Sequence, residues 1–171
     1  MQTKLYFRYL AFGVFICCQF FGASLVLAEQ FDDLLGFELG GTLREARKHA
    51  VSKGWQLKQL SAELPDEWMV DGTNLSLFIC DDKIGAIRKQ SAGGLDEFVS
   101  IVSELQAKYG TPQTKIGSFM AGRARVSDIR ANFSGPEALN VSVGFSSTDG
   151  HLGIHVNFLY NDSCPGLATS R

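Results

Sequence analysis

Apolar residues change their spacing several times along this chain, and each change marks an element. Leu43, Ala46, Ala50 and Val51 recur at helical spacing. Thr42 is the expected N-cap, because its hydroxyl accepts from a free N–H of the first turn and Glu45 stands where a capping box wants a carboxylate. Lys48, His49 and Lys53 favour the negative end of the helix, and Gly54 stops it. A second helix is expected from Leu95, Phe98, Val99, Val102, Leu105 and Tyr109, which form one apolar stripe. Asp96 and Glu97 lie in its first turn and Lys108 in its last, with Gly110 and Pro112 ending it.

Between the helices the pattern reads as β over residues 55–60, 68–70, 74–80 and 83–89. Asp71-Gly72 is the expected two-residue hairpin turn, since both residues tolerate positive φ, and Asp81-Asp82 joins the next pair. Strands are expected again over residues 114–119, 123–133, 139–145 and 152–160. The last two alternate: Leu139, Val141, Val143 and Phe145, then Leu152, Ile154, Val156, Phe158 and Tyr160, with Asn140, Ser142, His155 and Asn157 opposite. One face of an antiparallel sheet is therefore buried and the other is wet. The expected fold is α+β, built as two helix-plus-antiparallel-meander units (α-β-β-β-β twice), with the helices packed on one face of the sheet.

The first residues follow a different rule. Lys4 and Arg8 precede an apolar run from Leu10 to Phe21, and small residues lead to Ala28, with the acidic stretch from Glu29 directly beyond. This is the order of a secretory signal, so residues 1–28 are expected to be cleaved, leaving residues 29–171 as one mature domain with a short C-terminal tail. Cys17 and Cys18 lie inside the apolar run and leave with it. A retained membrane anchor is the alternative, against which Gln19, Gly22 and Ser24 interrupt the run. The expected location is periplasmic or secreted.

Residues 29–171 hold 14 Lys plus Arg against 18 Asp plus Glu, a net charge of −4. An acidic chain without a basic run lacks the electrostatic footprint of a nucleic-acid binder, and no later segment is long and apolar enough to span a membrane. Export also sets the redox compartment. The mature chain keeps Cys80 and Cys164, and the two are expected to pair.

Motifs for catalysis fail one by one, so no catalytic residue, metal or cofactor is expected. His151 and His155 share a strand face but stand about 13 Å apart at ~3.3 Å per residue, too far for one metal ion, and are expected as exposed histidines of the polar face. Gly144-Phe145-Ser146-Ser147-Thr148 lacks the second glycine and the following helix of a nucleophile elbow, which makes Ser146 a turn residue. Gly40-Gly41 and Gly93-Gly94 precede helices without the lysine of a phosphate loop. Asp66, Glu67, Asp81 and Asp82 are turn carboxylates that nothing in the sequence brings together.

Two stretches suit binding. The Pro65-Asp66-Glu67 turn leads into Trp68 and Met69, an aromatic and a thioether of the kinds favoured in contact patches, although core packing suits Trp68 itself better, since aromatics dominate small cores. Arg123 and Arg125 share a strand face, near Arg130, and could present guanidinium forks to an anion, or form a solvated face with acidic neighbours. Asn74, Asn132, Asn140 and Asn161 head Asn-x-Ser triplets, relevant only in a glycosylating host.

The segment Phe37-Glu38-Leu39-Gly40-Gly41-Thr42-Leu43-Arg44-Glu45-Ala46 resembles the Leu-Gly-x-Thr helix opening of small bacterial envelope modules, among them outer-membrane assembly lipoproteins and beta-lactamase-inhibitor proteins. The acylated Cys of those lipoproteins has no counterpart here. The resemblance implies an α+β binding fold of the envelope. The expected function is thus a non-catalytic exported binding or assembly module acting on another envelope or secreted protein. The alternative is a small extracytoplasmic enzyme whose site lies on the polar sheet face around His155 and Asn157.

Overall fold

A computed structural model describes residues 34–160 of the chain. Residues 1–33 and 161–171 lie outside the described residues, and with them the expected signal, Asn161 and Cys164. Helix α1 (Leu43–Ser52) is followed by β1 (Gln56–Ser61), β2 (Leu64–Asp71), β3 (Leu75–Cys80) and β4 (Lys83–Ser91). Then come α2 (Leu95–Tyr109), β5 (Gln113–Ala121), β6 (Ala124–Ser134), β7 (Leu139–Thr148) and β8 (His151–Tyr160). Among the described residues no helix is long and apolar enough to cross a membrane.

The expected division into two helix-plus-meander units does not hold. All eight strands form one antiparallel sheet in the order β1-β2-β3-β4-β8-β7-β6-β5, and among the described residues strand outweighs helix 55% to 20%, so the fold is sheet-dominated. The two meanders meet where β4 pairs with β8, from Ala86 opposite Leu159 to Ser91 opposite Ile154. Composition explains the order. β8 carries Ile154, Val156 and Phe158, all buried, and β3 and β4 carry Leu75, Leu77, Ile79, Ile84 and Ile87, so these strands lie inside the sheet. β1 is mostly polar and β5 is exposed along its whole length, and these two take the edges, where one side of the backbone meets water. A separate four-stranded unit would have left apolar β4 or β8 as an open edge.

Both helices cover the same face. Ala46 and Ala50 of α1 pack with Phe37 on Val70, Leu75, Leu77 and Ile87. On α2, Phe98 meets Phe145 with ring centroids 5.8 Å apart, and Tyr109 meets Phe133 at 6.4 Å. Strand pairing puts these sheet residues on one side, through Leu77–Ile87–Phe158–Val141–Phe133. The capping box of α1 forms: the Glu45 N–H donates to Thr42 Oγ1 at 3.2 Å, and Glu45 Oε2 accepts from the Thr42 N–H at 2.9 Å. The helix stripes are rotated from expectation. Val51 is exposed, Val99 is 51% exposed, and the fully buried residue of α2 is Ile101, which the pattern of apolar spacing left out. A helix with apolar residues at 98, 99, 101, 102 and 105 offers two overlapping stripes, and the sheet selects Phe98, Ile101 and Leu105.

Turns also exchange roles. Asp81 and Asp82, both at positive φ (49° and 63°), form the two-residue hairpin between Cys80 and Lys83, as a mirror-image turn requires. Asp71 instead remains in β2 opposite Gln56, and the β2–β3 connection starts at Gly72, whose φ is 87°. Pro65, Asp66 and Glu67 are not a turn either but part of β2.

Candidate functional site

The face of the sheet away from the helices has no covering element among the described residues. Register carries one polar line across it, from Gln113 on β5 through Asn132, Ser142, Asn157 and Arg88 to Ser76 on β3. Side chains along this line are joined. Arg88 Nε donates to Asn157 Oδ1 at 2.8 Å, and Asn157 Nδ2 donates to Ser142 Oγ at 3.1 Å. Glu67 Oε1 accepts from Arg88 Nη1 at 3.5 Å, the long end of an ion pair.

The neighbouring line runs Lys115, Arg130, Gly144, His155 and Gln90. Gly144 decides its geometry. A Cβ at residue 144 would lie 2.1 Å from His155 Nε2, so the imidazole lies across the bare backbone of β7 on its way toward β6, the strand of Arg130. Glycine inside a strand commonly marks such a close approach. Arg88, Gln90, Ser146, Gly153 and His155 line a cleft of about 330 Å³ here.

Electrostatics in the cleft are lopsided. Burial pushes the His155 imidazole below its ordinary value, and the Arg88 and Arg130 guanidiniums push it the same way, while Asp128 opposes them. His155 is therefore a neutral imidazole at pH 7, able to donate from one ring nitrogen and accept at the other. Arg130 contacts Asp128 at 3.4 Å through Nη2, and its Nε is buried with no hydrogen-bond partner. Uncommitted donor capacity beside a neutral imidazole suits an incoming acceptor group, an oxyanion above all.

The sequence-predicted binding residues are dispersed. Trp68 and Met69 are neighbours on β2 and point to opposite faces: Trp68 packs on the core beneath the helices, with the Arg47 guanidinium 4.8 Å from its ring centroid, whereas Met69 is 42% exposed on the open face. They cannot form one patch. Arg123 lies in the β5–β6 turn, and the Arg125 N–H donates to Asp149 Oδ1 at 3.1 Å at the same end of the sheet. Arg130 stands on the open face opposite Gly144, apart from both. Asp66 and Glu67 lie on β2, and Asp81 and Asp82 at the β3–β4 turn. No group of three or more His, Cys, Asp or Glu side chains suited to a metal ion occurs among the described residues.

His155 is half-buried, not an exposed histidine, and Ser146 is a strand residue of β7, not a turn. Arg88 lines the cleft with them, and Gly144 and Arg130 flank the His155 ring on the β7 and β6 side. Their signal in the sequence was weak: a lone glycine in an alternating strand, and two arginines 42 positions apart. Cys80 ends β3 and is not a free side chain, and its expected partner Cys164 lies outside the described residues. No family model matches the chain, and neither a curated protein nor a solved structure matches it.

Proposed function

We propose that the mature chain is an exported, non-catalytic binding module that engages another envelope or secreted protein through the open face of its sheet, with Arg88 and Arg130 on either side of His155 gripping a carboxylate of that partner. The observation that carries this reading is the set of two guanidiniums around a half-buried imidazole on the uncovered face, in a chain whose net charge is otherwise negative. Planar guanidinium groups match a carboxylate in two parallel hydrogen bonds, and a shallow polar floor admits a side chain carried on another protein. Periplasmic or secreted location follows from the signal read in residues 1–28. Trp68 is removed from the contact surface and serves the core.

Affinity capture from the native envelope tests the site. The double substitution Arg88→Gln and Arg130→Gln should reduce capture of the partner at least tenfold, and raised salt should reduce capture by the unaltered protein. Trp68→Ala should leave capture intact on the fraction that stays folded. Capture unchanged by the double substitution would overturn the assignment. The enzyme reading is favoured by one observation, a neutral His155 lining the same cleft as Ser146. A turnover activity abolished by His155→Ala would replace binding with catalysis.

A further inference from the structure

The two edges of the sheet differ in a way that binding through the open face does not require. β1 is short, six residues, and its register with β2 breaks between Gln59 and Ser61. Irregular short edges resist pairing with other strands. β5 has no such protection. It runs nine residues, pairs with β6 without a break from Gln113 to Ala121, contains no proline, and carries Lys115 as its one charge. Every residue of β5 is exposed, including Ile116 at 79%, and Phe119 and Met120 at 58% each. Beside it, on the helix-side face, a second cleft of about 400 Å³ is lined by Ile116, Ile129 and Phe145.

We infer that β5 pairs with β5 of a second copy of this chain, antiparallel about Gly117, joining two eight-stranded sheets into one. Full overlap of two nine-residue strands sets the centre at Gly117, and the pattern is self-complementary in that register. Lys115 stands opposite Phe119 of the other copy, so like charges do not meet, and a cation faces an aromatic ring. Ile116 stands opposite Ser118, with Met120 of the other copy diagonal to it on the same face, so the apolar side chains of the two copies gather over the Ile129–Phe145 cleft. Residues with even numbers stay with even, which keeps all four helices on one side and both open faces on the other. The symmetry is that of a closed two-fold dimer, which leaves only the two protected β1 edges exposed.

Light scattering of the purified protein at micromolar concentration should give the mass of two copies. Phe119→Lys, which sets a lysine against Lys115 of the other copy, should halve that mass without lowering the melting temperature. Gly117→Cys places a thiol on the two-fold axis, where nothing lies within 4 Å of the new Cβ and directly opposed Cα atoms stand about 4.5 to 5.5 Å apart, within disulfide reach. It should form a covalent dimer under mild oxidation. A single-copy mass overturns the inference. So does a dimer that survives Phe119→Lys with no Gly117→Cys cross-link, or a strand of a different protein found cross-linked at residue 117.

Discussion

Gly144 and His155 make a residue-scale switch that stability and spectroscopy both read. Because the imidazole crosses the backbone at Gly144, the substitution Gly144→Ala forces the ring aside, and the ring is the free end of a side chain that can swing into water. The expected result is a well-folded protein in which His155 titrates closer to the ordinary value of about 6.5, since both its burial and its nearness to Arg88 and Arg130 diminish. NMR titration of the ring protons measures this directly. In the unaltered protein the folded-state value is depressed, so between it and the unfolded-state value the unfolded chain binds more protons. Stability therefore rises with pH across that window and falls on acidification. Denaturation between about pH 7 and about pH 5 should show this loss, flattened in His155→Gln; an equal slope in both proteins would refute the account. Single residues such as these were only partly legible. His155 and Asn157 were marked as members of a polar face from alternation alone, but the guanidiniums that depress the imidazole come from β4 and β6, strands that spacing along the chain does not bring near β8.

At the scale of the element, helix ends were readable and helix faces less so. The Thr42–Glu45 capping box depends on residues three apart, and it forms as its local chemistry dictates. Thr42→Ala should cost about 1 kcal/mol in denaturant unfolding, the usual worth of a cap. The stripe of α2 is a different matter, because Val99 and Ile101 are equally apolar and only the sheet beneath decides which is covered. Ile101→Ala should destabilise by about 2 to 5 kcal/mol, as expected for emptying a fully buried site. Val99→Ala should stay within about 0.5 kcal/mol, apart from a small gain in helix propensity. Equal losses from the two substitutions would restore the stripe read from the sequence. Pro65 illustrates the same limit. A Pro-Asp-Glu run has the composition of a turn, yet the pairing of β2 with β3 begins at Glu67, beyond Pro65, so proline is accommodated in the strand.

The whole molecule is governed by which strands can tolerate an edge, and the same logic extends to its covalent closure. Pairing of Cys80 with Cys164 would tie the tail to the end of β3, a strand inside the sheet, and in the chain-entropy model so long a loop is worth roughly 4 to 5 kcal/mol. Intact-mass analysis of the protein from its native host, without reductant, should give a chain beginning at Glu29 and lacking two thiol protons. Retention of Met1, or two titratable thiols after denaturation, would exclude export processing or the bridge respectively. A chain of this architecture has many long-range strand pairs, with β4 and β8 brought together from residues about 70 positions apart. Such contacts carry a loop-closure cost that no local pattern reports.

What the sequence determined by itself is the set of local elements: two helices with their termini, eight strands at nearly the right places, and an alternation on β7 and β8 that separates an apolar face from a polar one. Each of these depends on side chains a few residues apart, whose spacing is fixed by backbone geometry. Tertiary structure alone decided that the two meanders fuse through β4 and β8 into one sheet, that Trp68 and not Met69 is the one facing the helices, and that Arg88 and Arg130 converge on His155. These depend on which strands become neighbours. That choice is made by burying the most apolar strands in the middle of the sheet, a competition among all eight at once.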